Sequence, residues 1–123
     1  MSDTRPFDLT VQPGTVPNSS IVVPSGPLVM EHLFKFQNAW RSQESQILIF
    51  DLSGVIYMDS SAIGSLVNAH VHCSKSGRKM GLAAVPDRIL QILNVTKVDS
   101  LFQFFPSVAD AEAKLSASAA AHS

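Results

Sequence analysis

In some segments of this chain apolar residues recur at every second position, and in the segments between them they recur every three to four positions. This pattern predicts strands alternating with helices. Phe7 to Val11 alternates apolar and polar residues, as a half-buried strand does. Ile21 to Val23 is a short β-branched run ended by Pro24, and we expect it to pair antiparallel with the first strand. Ser25 to Pro27 (Ser-Gly-Pro) then predicts a turn.

The rest of the chain continues the alternation. Ile47 to Leu52 is almost continuously apolar, the pattern of a strand covered on both faces. Lys79 to Val85 is expected to be a further strand, and Val98 to Phe105 a short aromatic-rich strand or turn. Apolar positions at helical spacing predict four helices, over Leu28 to Ser42, from Asp59 to a stop at Gly77, over Pro86 to Val95, and over Val108 to Leu115.

This order predicts an α/β fold with a mostly parallel sheet of four to five strands, packed with about four helices. A chain of 123 residues is long enough for one domain with a core of its own but not for two. We expect residues 1–115 to form that domain and the Ala/Ser-rich residues 116–123 to form a flexible tail.

Charge and cysteine content narrow the class of protein. The formal net charge of −1 argues against nucleic acid as a partner, which would favour a basic surface. The single cysteine, Cys73, excludes an internal disulfide and fits a reducing compartment. The first residues have no apolar core of a signal peptide, and no apolar run approaches the roughly 20 residues that span a bilayer. We therefore expect a cytoplasmic protein without membrane insertion.

The most informative segment runs from Ile47 to Gly64. It predicts a buried strand, a turn at Ser53-Gly54, a short apolar run, and a helix that opens at Asp59, Ser60 and Ser61. Small polar residues at a helix start cap its free N–H groups, and the positive end of the helix dipole makes the same place favourable for anions. A serine there is well placed to carry a phosphate.

Two chemical alternatives compare poorly with this interpretation. A nucleophilic serine needs a base, and His70 lies about 15 Å from Ser60 along the helix by helical rise. His70, His72 and Cys73 could suggest a metal site, but their spacing brings at most two of them together, and a structural zinc takes four ligands. The chain also has no phosphate-binding glycine loop for ATP. We expect no enzyme, no metal and no cofactor.

Ile47 to Gly64 resembles the central signature of STAS domains, the fold of bacterial anti-sigma factor antagonists. In that family a buried strand ends near an Asp, and an Asp-Ser-Ser-Gly-Leu-Gly-like segment opens the next helix. The hydrophobic pattern of three flanking segments also fits the family, namely Ile21 to Leu28, Gly77 to Val85 and Ile92 to Phe102. The resemblance covers roughly Phe7 to Leu115 and implies a single STAS-like domain.

The resemblance implies a regulatory function in transcription. Family members are phosphorylated on the first Ser of the pair, here Ser60, by an anti-sigma factor with serine kinase activity. The unmodified form binds that partner and frees the sigma factor, and the phosphorylated form dissociates from it. The implied partner-binding residues are Asp59, Ser60, Ser61, Ser25, Gly26 and Ile63, and the implied oligomeric state is a monomer or weak dimer.

The chain differs from the family pattern at three places. Pro27 and Val29 stand where acidic residues are common, and Ala62 replaces a Gly after the serine pair. Lys97 replaces the Gly that usually ends the third helix, so we expect that helix to end differently. The alternative function is a STAS docking subunit or scaffold of a transporter or signalling complex, without a phosphate cycle.

Overall fold

The computed structural model describes residues 6–120 and shows an α/β domain with a six-stranded, mostly parallel sheet and four helices. The predicted fold class is thus confirmed, with one strand more than the four to five expected. The elements in chain order are β1 (Asp8–Pro13), β2 (Ser19–Leu28), α1 (Met30–Arg41), β3 (Ile47–Asp51), β4 (Gly54–Met58), α2 (Ser60–Lys75), β5 (Lys79–Ala83), α3 (Asp87–Val95), a 3-10 helix (Asp99–Leu101), β6 (Phe104–Phe105) and α4 (Val108–Ala120).

The sheet has the order β1-β2-β3-β5-β6, and only β1 runs antiparallel to its neighbour. Strand β4 pairs parallel with the second half of β2, so that β3 and β4 follow one another along the same edge of β2. The turn between them is held by Asp51, whose Oδ1 accepts a hydrogen bond from the Ser53 N–H (3.1 Å). Strand β4 then leads directly into α2, with only Asp59 between them.

The core lies on both faces of the sheet. Phe36 and Trp40 of α1 and Leu66 of α2 pack with Phe50 of β3 on one face. The other face is covered by α4, through a smaller cluster that includes Leu115. Four consecutive residues of β3, from Ile47 to Phe50, are buried, which confirms the strand predicted from their unbroken apolar run.

Strand β2 is longer than the sequence pattern predicts. Pro24 does not end it, and Ser25 to Pro27 is not a turn, because both lie within a strand that continues to Leu28. The register of β2 against β4 shifts between Gly26 and Pro27, where Gly26 has a φ of 81°. A bulge of this kind accommodates a proline, which has no N–H to donate to the sheet. Helix α1 consequently begins at Met30 rather than Leu28.

The ends of α2 and α3 have the same geometry. After α2, the Gly77 N–H bonds to Ser74 O (3.4 Å) and the Arg78 N–H to Cys73 O (2.8 Å), with Gly77 in the left-handed conformation. This pair of bonds is the Schellman motif and confirms Gly77 as the predicted stop.

The end of α3 corrects an expectation. Lys97 was expected to require a different helix end, yet it adopts the left-handed conformation (φ 62°) that glycine usually takes. The Lys97 N–H bonds to Asn94 O (3.0 Å) and the Val98 N–H to Leu93 O (3.2 Å), which completes a second Schellman motif. Lys97 therefore ends α3 with the backbone geometry that a glycine usually adopts.

We expect Lys97→Gly to stabilise the protein. A side chain in the left-handed conformation costs roughly 1–2 kcal/mol, and glycine loses roughly 0.5–1 kcal/mol more conformational entropy on folding. The net gain in the free energy of unfolding is about 0.5–1 kcal/mol, measurable by urea denaturation. Lys97→Ala is the matched control and should change stability little, because alanine keeps the strained backbone. A loss of stability in Lys97→Gly would contradict the argument.

Helix α4 is anchored to the loop between β1 and β2. Its buried Glu112 accepts hydrogen bonds through Oε2 from the N–H (2.6 Å) and the hydroxyl (2.9 Å) of Thr15. The helix continues to Ala120, so its predicted end at Leu115 was too early, and the first residues of the predicted tail are helical. Residues 121–123 lie outside the described residues, and flexibility of the tail stays a prediction.

Candidate functional site

The site predicted from the sequence lies where β4 passes into α2. Asp59 has an extended backbone, and its Oδ1 accepts a hydrogen bond from the Ala62 N–H (3.0 Å). This is the N-cap interaction expected of a small acidic residue at a helix start. The flanking Met58 and Ile63 are both buried in the same cluster, at the positions of a hydrophobic staple. The apolar and polar signals therefore fix the start of α2 at Ser60.

The second oxygen of the same carboxylate holds another helix. Asp59 Oδ2 accepts a hydrogen bond from the backbone N–H of Met30 (2.9 Å), the first residue of α1. The residue before it, Val29, caps α1 with no side-chain hydrogen bond. Asp59 thus joins the N-termini of α1 and α2, and its negative charge lies at the positive ends of both helix dipoles.

Ser60 and Ser61 occupy the first turn of α2. Ser60 is the first helical residue and is exposed, whereas Ser61 is half-buried. A group attached to the Ser60 hydroxyl can therefore extend into solvent beside the free N–H groups of the helix start. Asp59, Ser60 and Ser61 are brought together as the sequence predicts.

Two other predicted partner-binding residues, Ser25 and Gly26, do not lie at the start of α2. Ser25 and Gly26 pair with Gly54 and Val55 at the opposite end of β4, roughly 13–17 Å from Asp59 by the rise along a strand. Gly26 is buried, and a Cβ on it would stand 2.5 Å from the carbonyl oxygen of Pro6. Ser25 is half-buried. A partner that contacts Ser60 and Ser25 together would have to span this strand.

Ile63 lies in the core. Its side chain is 8% exposed and packs within the main hydrophobic cluster. Its packing therefore stabilises the first turns of α2. A direct contact of Ile63 with a partner stays a prediction.

Sequence reasoning missed an exposed apolar pair in the first turns of α1. Met30 and Phe34 are 69% and 79% exposed, and they lie one turn apart on α1. The signal was present, because neither residue shares the inward stripe of Phe36 and Trp40. The hydrogen bond from the Met30 N–H to Asp59, which places the first residue of α1 at the start of α2, joins residues 29 positions apart and has no sequence signature.

The histidines and the cysteine on α2 do not form a cluster. His70 packs edge-on against Phe102, and His72 packs against Trp40 on another side of the helix. Cys73 is buried, and burial raises the pKa of its thiol although the charge of Arg78 acts in the opposite direction. Within residues 6–120, no three His, Cys, Asp or Glu side chains are grouped to hold a metal ion.

We expect Asp59→Ala to lower the free energy of unfolding by about 2 kcal/mol. The loss of an N-cap costs roughly 0.5–2 kcal/mol, and the start of α1 loses a charge-assisted hydrogen bond as well. Urea denaturation followed by circular dichroism measures the change. Ser61→Ala, in the same turn, is the control and should cost no more than about 1 kcal/mol. Equal losses in the two variants would show that Asp59 does not join the helices.

The fold and the site define a class of protein, an α/β domain that presents an exposed serine at the start of a capped helix. The family model of the STAS domain matches residues 7–111, and the chain belongs to this family. Among the described residues, no helix has both the length and the apolar character to cross a membrane.

Solved structures with the same fold come from two kinds of protein. An anti-sigma factor antagonist from Mycobacterium paratuberculosis is 19% identical, with 94% of this chain and 99% of that chain covered and a TM-score of 0.80. A candidate anti-sigma factor antagonist from Thermotoga maritima is 20% identical, with 89% and 94% covered and a TM-score of 0.77. A sulfate transporter family protein from Wolinella succinogenes is also 20% identical, with 83% and 88% covered and a TM-score of 0.74.

Proposed function

We propose that this chain is a binding module of the anti-sigma factor antagonist type. Its partner is an anti-sigma factor with serine kinase activity, and phosphorylation of Ser60 controls their association and thereby transcription. The observation that carries the proposal is the exposure of Ser60 as the first residue of α2, directly after the capping Asp59. Two of the structural neighbours, anti-sigma factor antagonists by name, support the choice of partner.

The proposed docking surface combines the helix starts that Asp59 joins. Ser60 and Ser61 contribute its polar part, and Met30 and Phe34 of α1 contribute an apolar part next to it. Exposed apolar side chains beside a polar group that can be modified suit a reversible protein interface. On this proposal the module acts in the cytoplasm, where the kinase and its ATP are found, and performs no catalysis of its own.

Mass spectrometry tests the phosphorylation directly. The protein is incubated with Mg-ATP and the serine-kinase anti-sigma factor of the same organism, and the modified residue is located by peptide fragmentation. We expect one phosphate, on Ser60, and none in Ser60→Ala. Ser61→Ala is the matched control and should be modified like the wild type. Phosphate on Ser61, or no phosphate on any residue, would contradict the proposal.

The second candidate function is a docking subunit or scaffold of a transporter complex, without a phosphate cycle. The fold shared with the sulfate transporter family protein favours it. In that case Ser60 would act only as the first residue of the helix, and the kinase experiment would leave the protein unmodified. Co-purification with a transporter of the same organism would then identify the partner.

A further inference from the structure

A cavity of about 210 Å³ lies at the far end of α2 from Ser60. It is bordered by the last turns of that helix, the first residues of β5 and the segment after the 3-10 helix. Cys73, on its wall, is about 20 Å from Ser60 by helical rise. The cavity is therefore separate from the Ser60 site, and the function proposed above gives it no role.

The ladder between β5 and β6 ends where the cavity begins. Strand β6 pairs only with the last two residues of β5. The Leu82 N–H donates to Gln103 O (2.9 Å) and the Ala84 N–H to Phe105 O (3.0 Å), both on the β6 side. Because the backbone groups of a strand point alternately to its two sides, the N–H and C=O of Met80 also point to the β6 side. There, among the described residues, the ladder has no strand partner for them.

These two backbone groups lie in a shielded place. Met80 is only 8% exposed, and it lines the cavity together with Gly81 and Gln103. Polar backbone groups that are shielded from bulk water need a hydrogen-bond partner. A primary carboxamide carries an acceptor and a donor side by side, so one such group can pair with both the N–H and the C=O of an extended residue.

The two basic residues of the wall direct their side chains elsewhere. Strand alternation places the Lys79 side chain on the face of β5 that α4 covers, opposite to that of Met80. The Arg78 guanidinium donates through Nε to Ser45 O (2.6 Å) and through Nη2 to Gln43 O (3.0 Å), in the loop before β3. None of the described residues on the wall is an Asp or Glu. The cavity therefore favours a neutral ligand over an ion.

The rest of the wall is suited to an aromatic ring. Leu101 and Phe102 contribute to it, and Phe102 is in edge-on contact with His70 at 6.0 Å between ring centroids. Burial raises the pKa of the Cys73 thiol, so its sulfur is a neutral, polarizable part of the wall. A cavity of about 150 Å³ holds a benzene molecule, so 210 Å³ has room for a ring with one amide group.

We propose that this cavity binds a small, neutral aromatic amide. Its carboxamide pairs with the N–H and C=O of Met80, at the place where a longer β6 would continue the sheet. Its ring lies against Phe102 and the last turns of α2. Backbone hydrogen bonds at a sheet edge then provide the recognition, and the apolar wall provides the contact area.

Titration with benzamide, followed by two-dimensional NMR of the backbone amides, tests the site. We expect saturable shifts at Met80 and Gln103, with a Kd below about 1 mM. The amide proton of Met80 should move downfield, because it gains a hydrogen bond from the ligand carbonyl. Shifts confined to other parts of the chain would overturn the inference.

Three related probes separate the parts of the proposal. Acetophenone has the shape and the carbonyl of benzamide without its N–H donors, and it should bind at least fivefold more weakly because the C=O of Met80 then stays unpaired. Acetamide carries the amide without the ring, and benzoate places a charged acceptor against the same C=O, so both should bind at least tenfold more weakly than benzamide. Binding of any of the three as tight as that of benzamide would contradict the proposed recognition.

Ser74→Phe tests where the ligand lies. Ser74 is exposed on α2 and lines the cavity, so a larger side chain there should narrow the cavity and weaken benzamide binding at least fivefold. Asn68→Phe is the matched control, because it adds the same ring at an exposed position of α2 that does not line the cavity, and it should change binding less than twofold. Thermal melting checks that both variants stay folded. Equal effects of the two variants on benzamide binding would place the ligand outside this cavity.

Discussion

Ile63→Asp is expected to unfold the domain at 25 °C. The side chain is 8% exposed and lies in the main hydrophobic cluster, at the hydrophobic-staple position of α2. An unpaired carboxylate there costs several kcal/mol on top of the lost apolar contacts. The total stability of a small domain is about 5–15 kcal/mol, so this single change removes much of it. Far-UV circular dichroism and urea denaturation would show the loss.

The matched control is Asn68→Asp. Asn68 is exposed on the same helix, and the substitution adds the same charge with almost no change in size. Surface changes of this kind are usually within about 0.5 kcal/mol. If Ile63→Asp unfolds at the same urea concentration as Asn68→Asp and the wild type, the assigned inward face of α2 is wrong.

The start of α2 could be predicted from the sequence because its signals are local. The cap, the staple and the serine pair all fall within six residues, Met58 to Ile63, and each acts on its own helix turn. The burial of β3 was also predictable, because a strand that is covered on both faces carries apolar residues at successive positions instead of alternating apolar and polar ones.

The errors arose where the backbone hydrogen bonds of the folded chain override the preference of a single residue type. Pro24 and Gly26-Pro27 are breakers in isolation, but β4 pairs with this stretch and the bulge between Gly26 and Pro27 absorbs the irregularity. Lys97 takes a conformation usually left to glycine, because two backbone hydrogen bonds at the end of α3 stabilise it. In both places the preference of the residue type alone predicts a different local structure from the one that the folded chain adopts.

The arrangement of the candidate site was predicted only in part. Sequence placed Asp59 and Ser60 correctly at the helix start, but the hydrogen bond from the Met30 N–H to Asp59 depends on how α1 and α2 meet. The same hydrogen bond places the first residue of α1, the exposed Met30, beside the start of α2. A contact between distant segments of the chain follows from the fold and not from spacing, and this part of the proposed surface could therefore be recognised only in the structure.

Ser60→Asp is expected to fold normally and to bind the proposed partner, an anti-sigma kinase, at least tenfold more weakly than the wild type. A phosphate on Ser60 adds about −1.5 to −2 charge, which the helix dipole favours by roughly 0.3–1 kcal/mol and the adjacent Asp59 opposes. These local contributions nearly cancel, so the backbone of α2 should stay in place. The effect falls on the partner, which would have to desolvate a new anion at the helix start that adjoins the exposed Met30.

Isothermal titration calorimetry measures the effect, since a tenfold change in Kd corresponds to about 1.4 kcal/mol. Ala109→Asp is the matched control, because Ala109 is exposed in the first turn of α4, which covers the opposite face of the sheet from α2. The control therefore adds the same charge at another helix start, and it should bind like the wild type.

Ser60→Ala should bind well but accept no phosphate. If Ser60→Asp binds as tightly as Ala109→Asp while both melt at the wild-type temperature, charge at the start of α2 does not control the interface. The scaffold function, in which Ser60 only begins a helix, would then explain the site better.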